Sequence, residues 1–549
     1  MKTLGAVLII LTSSGCNRAD SPISSALFSD ASQESGLRFT HVNGGTGKFY
    51  LPEIMGPGVA VFDYDLDGDL DVYFLQGKPL TGTGISTGNR LFRNELVPTG
   101  KLWFADVTAQ AGVDHTGYDM GAAVGDYDND GHPDLYITSF GSNVLYHNNG
   151  DGTFTDATKY AGVGESRWSA SAAFVDYDRD GHLDLFVSNY LNYNIALNKP
   201  CYAPTGELDY CNPSIYDGLP SRLFRNEGNG KFSDVTGSSG IGSVPGKALG
   251  VVCFDYDRDG WTDIYVANDG VANHLWRNRN GRFEEVALFS GVAYSADGKA
   301  QASMGVDAAD AENNGIEHLF VTNLIHETNN FYRNDGAGNF VDAILNSGMA
   351  PASREVTGFG TRFFDYDHDG RLDLFAANGA VTVMDGQRGT MHPFRQSSHL
   401  FRNEGKNFAQ VLQFAPEVSR GAAFGDIDND GDIDIVVTNN NGPARLWLNQ
   451  AGSRFPSLQL RLEGVRSNRQ GLGAKAGVVR RGKPTLWRRA QTDGSYLSAS
   501  DSRIHFGSVD GSEVSEIIVE WPGGGRESWA VQIAGKKFVT LRQGSGLRR

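Results

Sequence analysis

The chain has 549 residues, of which 40% are hydrophobic and 21% charged, so it can bury a sizeable core and does not have a disordered composition. Its formal net charge of −17 argues against a nucleic-acid backbone as the partner of the whole molecule. The charge is uneven: residues 455–549 contain 16 Lys and Arg against 8 Asp and Glu, a net of +8, so residues 1–454 carry −25.

The start of the chain predicts an export signal. Lys2 precedes an apolar run, residues 4–11, and small residues then lead to Cys16. The run is too short to span a bilayer. The segment resembles a bacterial lipobox, in which cleavage precedes a lipid-bearing cysteine, although Ser13 stands where that motif usually has leucine. We therefore expect a lipoprotein-type signal over 1–15, lipid attachment at Cys16 as the membrane anchor, and a linker over 16–26; simple secretion is the alternative.

An acidic pattern, D-x-D-x-D-G-x-x-D, recurs along the chain. Its first copy is "DYDLDGDLD", and the seven copies begin at aspartates 63, 126, 176, 255, 310, 365 and 426, about 60 residues apart on average. A second signature, such as "RLFRN" ending at Asn94, and a third, such as "FADVT" beginning at Phe104, follow in the same order each time. Three signatures repeated in register establish an internal repeat.

The segments between these signatures are short, rich in Val, Ile, Phe and Tyr, and bounded by Gly, Asn and Asp, which is typical of β-strands and turns. The sequence therefore predicts an all-β fold: a seven-bladed β-propeller with calcium-binding loops over 27–454 and a small C-terminal β domain over 455–549. An open β-solenoid is the alternative, although its repeats are usually much shorter.

The acidic copies predict metal-binding turns. Side chains at positions 1, 3, 5 and 9 and the backbone carbonyl at position 7 can surround a cation, and glycine at position 6 permits the sharp bend. Oxygen-only ligation favours Ca²⁺ over Mg²⁺. The predicted ligands are Asp63, Asp65, Asp67, Asp69, Asp71, Asp126, Asp128, Asp130, His132, Asp134, Asp176, Asp178, Asp180, His182, Asp184, Asp255, Asp257, Asp259, Trp261, Asp263, Asp310, Glu312, Asn314, Asp365, Asp367, Asp369, Arg371, Asp373, Asp426, Asp428, Asp430, Asp432 and Asp434.

About six Ca²⁺ sites are expected, because the fifth copy is degenerate. It has Glu312, Asn314 and, at position 9, His318. An EF-hand is excluded, since position 12 falls inside an apolar strand and flanking helices are absent from the pattern. The alternative for any single copy is a solvated acidic turn. If the loops bind Ca²⁺, the ion is a folding cofactor, because the free energy of metal binding then contributes to the free energy of folding.

Four cysteines occur in the chain. Cys201 and Cys211 lie in a Pro- and Tyr-rich insertion, where a local disulfide suits an exported protein. Cys253 lies in an apolar strand and is expected to be a buried core residue.

The repeats resemble the FG-GAP or VCBS repeats of integrin-type propellers. The stretch from "FTHVNGGTGKFYLPEIMGPG" through the first acidic copy is similar to the start of bacterial proteins of the cartilage acidic protein family. The blocks "NRQGLGAKAGV", "TDGSYLSASDSRIHFGSV" and "IIVEWPGGGRESW" are similar to an ASPIC/UnbV domain. The resemblance implies a calcium-dependent extracellular or cell-envelope propeller, and no settled activity.

No catalytic constellation stands out in the sequence. His41 and His326 lie in polar loops and could line a central funnel, although such histidines are more often solvated surface residues than catalytic ones. Glu53 and the "HETNN" loop, His326 to Asn330, are better site candidates. The repeated arginine of "LFRN" is expected to make structural contacts. The basic pairs in "VVRRGKP" and "LWRRAQ" face solvent or the acidic repeats, or form a patch for an acidic glycan.

Two functions remain open from the sequence. The first is a calcium-stabilised binding or adhesion module for a protein or glycan partner. The second is a calcium-dependent lyase or hydrolase acting on carbohydrate at the propeller mouth. A nucleic-acid partner is not expected.

Overall fold

A computed structural model describes residues 27–82, 87–382, 393–452, 455–509, 513–530 and 537–548. The predicted signal segment 1–15, Cys16 and the linker 16–26 lie outside the described residues. No helix within the described part is long and apolar enough to cross a membrane.

The part of the chain before residue 450 is built of short strands. In chain order they are β1 (Phe28–Asp30), β2 (Val59–Phe62), β3 (Asp71–Phe74), β4 (Arg90–Asn94), β5 (Phe104–Asp106), β6 (Asp119–Gly125), β7 (Asp134–Ser139), β8 (Val144–Asn148), β9 (Phe154–Asp156), β10 (Ser169–Val175), β11 (Asp184–Asn189), β12 (Cys201–Tyr202), β13 (Leu208–Asp209), β14 (Arg222–Asn226), β15 (Phe232–Asp234), β16 (Ala248–Phe254), β17 (Asp263–Asn268), β18 (His274–Arg279), β19 (Arg282–Glu285), β20 (Val306–Ala309), β21 (His318–Val321), β22 (Asn330–Asn334), β23 (Phe340–Asp342), β24 (Gly358–Phe364), β25 (Asp373–Asn378), β26 (His399–Asn403), β27 (Phe408–Gln413), β28 (Ser419–Gly425), β29 (Asp434–Asn439) and β30 (Arg445–Asn449).

Apart from β12 and β13, which pair with each other, these strands form seven four-stranded antiparallel sheets, one for each acidic repeat. The strand orders are β2-β3-β4-β5, β6-β7-β8-β9, β10-β11-β14-β15, β16-β17-β18-β19, β20-β21-β22-β23, β24-β25-β26-β27 and β28-β29-β30-β1. The seventh sheet thus takes its outer strand from the start of the chain, where Phe28 pairs with Asn449. The all-β prediction is confirmed.

The first strand of each sheet packs against the first strand of the next. Contacts join β2 to β6, β6 to β10, β10 to β16, β16 to β20, β20 to β24 and β24 to β28, and β28 contacts β2 in turn. Five of these strands, β2, β6, β10, β16 and β28, are buried along their whole length, since their apolar side chains meet those of both neighbours. The main apolar clusters lie between adjacent sheets.

Helical structure is confined to single turns. The described α-helical turns are Pro52–Met55, Leu96–Thr99, Thr108–Ala111, Thr158–Ala161, Thr236–Ser239, Ala287–Ser290 and Ala350–Ser353, with 3₁₀ turns at Ile195–Leu197, Pro213–Ile215, Ile241–Ser243 and Ile344–Asn346. Four of the α-helical turns follow directly on a fourth strand and carry the chain towards the next sheet.

The rest of the chain forms a separate β unit. Its strands are β31 (Ser457–Glu463), β32 (Lys475–Arg480), β33 (Leu486–Arg489), β34 (Ile504–Gly507), β35 (Val514–Glu520), β36 (Arg526–Trp529), β37 (Phe538–Arg542) and β38 (Leu547–Arg548). They form a three-stranded sheet, β34-β31-β37, and a five-stranded sheet, β33-β32-β35-β36-β38, around an apolar core of their own.

One segment of this C-terminal unit, residues 491–501, lies among the first strands of all seven sheets. Tyr496 and Leu497 are fully buried there. The hydrogen bonds to β2, β6, β10, β16, β20, β24 and β28 are, in that order, Ala499 N to Val59 O, Ala122 N to Leu497 O, Leu497 N to Ser171 Oγ, Gly494 N to Val251 O, Val306 N to Ser495 O, Thr361 N to Ser495 Oγ and Phe424 N to Ser500 Oγ. We call residues 491–501 the central segment. It fills the space that the first strands surround.

Candidate metal centres

Each acidic repeat forms the turn between the first and second strands of its sheet. The turn bends sharply because two of its residues adopt the left-handed backbone conformation. At position 6 this residue is glycine, with φ between 81° at Gly315 and 103° at Gly68 and Gly131. At position 4 it is a residue with a side chain, such as Leu66, Arg179 or His368, at φ of 55–62°. Non-glycine residues rarely adopt this conformation, and they keep it where the surroundings require it.

The bend turns the carboxylates inwards. Ligand atoms of Asp63, Asp65 and Asp71 lie within 4.8 Å of one another in the first loop. Equivalent groups in later loops are Asp126, Asp128 and Asp130; Asp176, Asp178 and Asp184; and Asp255, Asp257 and Asp259. The structure thus brings together side chains that the sequence pattern places at positions 1, 3, 5 and 9.

Several of the clustered oxygens are buried without a hydrogen-bond donor. They include Oδ1 of Asp63 and Asp65 in the first loop, and Oδ1 of Asp176 and Asp178 in the third. The fourth loop has Asp255 Oδ1, and the seventh has Asp426 Oδ1. Because a buried acceptor without a partner is costly, these oxygens fit a bound cation. An all-oxygen donor set suits Ca²⁺.

The electrostatics of the first-position aspartates agree with that fit. Burial away from water, reinforced by the neighbouring loop carboxylates, raises the pKa of Asp63, Asp255 and Asp426 to about 6. The same causes raise the pKa of Asp176 to about 7 and of Asp126 and Asp365 to about 8. Carboxylates this close do not all ionise readily unless a positive charge lies among them.

The position-9 aspartate has a structural role in addition. Asp71 accepts hydrogen bonds from the backbone N–H of Tyr64, 3.0 Å away, and of Asn94, 2.9 Å away. Asp134, Asp184, Asp263, Asp373 and Asp434 make the same two contacts in their own sheets. This side chain ties the loop to the third strand, so it is both a candidate ligand and a fixed part of the sheet.

The position-7 residues stabilise the turn through their backbone N–H groups. The N–H groups of His132, His182, Trp261 and Arg371 donate to the position-5 carboxylate of their own loops. Gly131, Gly181, Gly260, Gly370 and Gly431 donate to the position-1 carboxylate. These bonds hold the turn in shape and leave the position-7 carbonyl available.

Cationic and polar side chains contact the fifth loop. Arg333 pairs with Glu312 at 2.5 Å, and Arg488 of the C-terminal unit donates to Asn313 Oδ1 at 3.0 Å. His318, at position 9, accepts the N–H of Asn334 through Nδ1, as aspartate does in the other sheets. Two guanidinium groups therefore supply positive charge around Asp310, whose pKa is raised by burial and lowered by Arg488.

The sequence analysis did not single out the asparagine that ends each "LFRN" signature. Asn148 donates through Nδ2 to Tyr64 O in the preceding sheet, at 2.7 Å. Asn226, Asn278, Asn334, Asn403 and Asn449 donate likewise to Tyr127, Tyr177, Tyr256, Ala311 and Tyr366. Asn94 of the first sheet donates to Ile427 O of the seventh. The invariance of this residue across the seven repeats was the signal that could have revealed it.

The arginines of the same signature contact acidic groups, in agreement with a structural role. Arg277 pairs with Asp257 at 2.6 Å, and Arg225 lies 3.5 Å from Asp178. Arg93 and Arg402 pair with Glu95 and Glu404. Position 3 of the loop is therefore linked to the third strand in several sheets.

The C-terminal unit sits against the acidic loops. Gln470 Oε1 accepts the N–H of Asp126, and Gln459 donates to Asp426. Lys475 and Arg489 both pair with the buried Glu317, at 3.0 and 2.8 Å. Arg480 and Arg488 of the two basic pairs are buried. The sequence left three interpretations of the basic pairs open. Arg488 and Arg489 agree with the one in which these pairs face the acidic repeats.

The opposite ends of the first strands carry the other residues singled out from sequence. His41 is buried rather than solvated: it accepts the N–H of Asn441, and burial together with Arg420 lowers its pKa to about 3. Glu53 is also buried and accepts from Tyr210 Oη at 3.1 Å; burial raises its pKa. His326 is exposed.

A disulfide joins Cys201 to Cys211, and Cys253 is buried with a free thiol.

Known protein families match most of both units. A model described as FG-GAP-like repeat matches residues 63–137, 126–187, 214–266 and 255–321, and a model described as ASPIC and UnbV matches 464–548. Cartilage acidic protein 1 of Xenopus tropicalis is 30% identical over 183 residues, which are 31% of this chain and 27% of that protein. The Mus musculus protein of the same name is 27% identical over 189 residues, with the same coverage. The chain thus spans about a quarter of the length of these relatives.

Solved structures give weaker likenesses. An Agrocybe aegerita lectin, described as recognising non-reducing terminal N-acetylglucosamine, has a TM-score of 0.36 and 16% identity, over 68% of this chain and 83% of its own. Sqt1 of Saccharomyces cerevisiae has a TM-score of 0.38 and 7% identity, over 72% and 96%. Scores this low carry no argument about this chain.

The repeat family and the C-terminal domain family match in the order that the sequence resemblance predicts, and the curated relatives share that resemblance. The chain therefore belongs to the family of FG-GAP-like repeat proteins with a C-terminal ASPIC and UnbV domain that are homologous to cartilage acidic protein 1.

Proposed function

We propose that this chain is an exported, calcium-dependent seven-bladed β-propeller that acts as a binding module for a protein or glycan partner. The observation that carries the calcium part is the set of buried loop oxygens without hydrogen-bond donors, in turns that repeat with one geometry. About six ions are expected, because guanidinium groups surround the fifth loop.

The seven sheets support the propeller arrangement in three ways. The contacts between first strands run through all seven sheets and return from β28 to β2. The hydrogen bonds that the signature asparagines donate to the preceding sheet follow the same cycle, since Asn94 of the first sheet donates to Ile427 O of the seventh. Pairing of β1 with β30 joins the two ends of the repeat region in one sheet. In a propeller this pairing would close the ring, since radial repetition protects sheet edges.

Export is supported by the disulfide between Cys201 and Cys211, because disulfides persist in oxidising compartments. It is consistent with the signal-like segment that precedes Cys16. Anchoring by a lipid on Cys16 is part of the proposal and rests on sequence alone.

The position of the central segment and a cavity at one end of the sheets agree with a binding role. The central segment lies among the first strands and is hydrogen-bonded to all seven of them. A cavity of about 250 Å³ remains at the end of the sheets away from the acidic loops, lined by Asn43, Tyr210, Phe394, Glu417 and Asn440 among others. Amides, a phenol and apolar side chains converging on one pocket are typical of ligand sites.

The test is a binding screen with the full mature chain. Arrays of envelope glycans and proteins are probed in Ca²⁺ and again after EGTA treatment. We expect a ligand that is retained in Ca²⁺, lost in EGTA and recovered when Ca²⁺ returns. Absence of any ligand from an array that covers the envelope components would contradict the binding role.

One observation keeps the enzymatic alternative in view. Glu53 is a buried carboxyl of raised pKa, joined through Tyr210 to a cavity that Glu417 also lines. Paired carboxyl groups are what glycoside hydrolysis requires. Polysaccharide cleavage that disappears in Glu53→Gln, while Ca²⁺ binding and the melting temperature stay unchanged, would favour this function over the binding role.

A further inference from the structure

The second acidic loop differs from the others in the residue that faces it from the third strand. The position before the signature asparagine is arginine in five repeats and leucine at Leu448 in the seventh. In the second repeat it is His147, on β8. The loop therefore has an imidazole nitrogen in reach, in addition to carboxylate oxygens.

The nitrogen lies between two of the loop carboxylates. His147 Nδ1 is 3.3 Å from Asp128 Oδ2 and 3.3 Å from Asp134 Oδ1. The three ligand atoms all lie within 4.8 Å of one another. Nδ1 is buried, and its polar neighbours are these two carboxylates.

These distances match the spacing of ligands around one small ion. Charge-assisted N–H···O⁻ hydrogen bonds are usually about 2.7–2.9 Å long, so 3.3 Å to two acceptors is long for such a bond. Ligand atoms at about 2.1 Å from a tetrahedral Zn²⁺ are about 3.4 Å apart. Arg225, at the same place in the third repeat, lies 3.5 Å from Asp178 but offers no lone pair to a metal.

We propose that the second loop binds a borderline transition-metal ion such as Zn²⁺ through His147, Asp128 and Asp134. Imidazole nitrogen suits Zn²⁺, whereas Ca²⁺ takes oxygen ligands, so the histidine changes the preference of this loop alone. Three protein ligands leave a fourth position for water. The side chains of His147 and Asp128 are 28% and 26% exposed, so the ion has access from solvent. The inference rests on the proposed function only in taking the loop as a cation site.

The experiment uses the untagged full mature chain in saturating Ca²⁺. Zn²⁺ affinity is measured by calorimetry, and Co²⁺ absorption reports a nitrogen ligand. His147→Arg installs the residue that five other repeats have, so it should fold, and its melting temperature in Ca²⁺ checks that. His326→Ala removes an exposed histidine as the matched control, and the double variant His147→Arg with Arg225→His moves the imidazole to the third loop.

We expect one Zn²⁺ site in the native chain, weakened at least tenfold in His147→Arg, unchanged in His326→Ala and restored in the double variant. Binding within twofold of native in His147→Arg, or no Zn²⁺ site in the native chain, would overturn the inference. Ca²⁺ binding is measured on the same samples without Zn²⁺ and tests the proposed function separately. If the chain binds Ca²⁺ but has no Zn²⁺ site with a nitrogen ligand, this inference is refuted and the proposed function is not.

Discussion

At the scale of single residues, two side chains connect the elements of the repeat. The position-9 aspartate links the acidic loop to the third strand, and the signature asparagine links that strand to the preceding sheet. Both are buried and both accept or donate to backbone groups, which have no alternative partner in the interior. The repeat keeps them because each satisfies groups on two elements at once.

Replacing one such asparagine should destabilise the whole fold. Asn226→Ala removes donors to Tyr127 O and Leu183 O and leaves two buried carbonyls without partners. We expect a loss of about 2–4 kcal/mol in the free energy of unfolding. Asn149→Ala, at an exposed site, is the control and should change stability by less than about 0.5 kcal/mol. Denaturant unfolding in Ca²⁺ measures both, and equal effects would contradict the role assigned to Asn226.

At the scale of the element, the acidic loop was the most predictable part of the molecule. Its ligand spacing and its glycine are local properties of nine residues, so the sequence pattern was enough to predict carboxylates turned towards one point. The left-handed residues at position 4 could not be predicted, because nothing in Leu66 or His368 favours that conformation. The contact of Arg488 with the fifth loop could not be predicted from sequence either, since Arg488 lies on a strand more than 170 residues away.

The loops should differ in their need for calcium. Asp365→Asn removes charge from a loop in which Gly370 and Asp369 depend on that carboxylate, and we expect the chain to bind one Ca²⁺ fewer. Asp310→Asn is the matched change at position 1 of the fifth loop and should leave the number of bound ions unchanged. Calcium per chain is counted by elemental analysis after desalting. Loss of an ion in Asp310→Asn would show that Arg333 and Arg488 do not replace the metal.

At the scale of the whole molecule, the repeat region and the C-terminal unit share one interior. The central segment bonds to the first strands of all seven sheets, and Tyr496 Oη reaches Met55 O at the far end. Sequence analysis predicted the two units but not this insertion. Thr492, Ser495, Ser498 and Ser500 are polar but buried, and Thr492 and Ser495 donate long-range hydrogen bonds to the repeat region.

Because the interior is shared, the two units should unfold together. Tyr496→Ala leaves a cavity where the ring packs on Phe359, with centroids 4.9 Å apart, and we expect it to cost roughly 3–5 kcal/mol. Tyr202→Ala, at a side chain that is 63% exposed, is the control. Scanning calorimetry should show one transition, shifted downwards in Tyr496→Ala only. Two transitions, with one unshifted, would show that the units are independent.

The most direct test of the account is the thermal stability of the native chain with and without calcium, with the bound ions counted on the same samples. A site occupied at 100 times its dissociation constant adds about 2.7 kcal/mol to the folded state. We therefore expect about six Ca²⁺ per chain and a melting temperature that falls strongly in EGTA and recovers when Ca²⁺ is restored. An unchanged melting temperature together with fewer than one ion per chain would contradict the claim that calcium holds these loops.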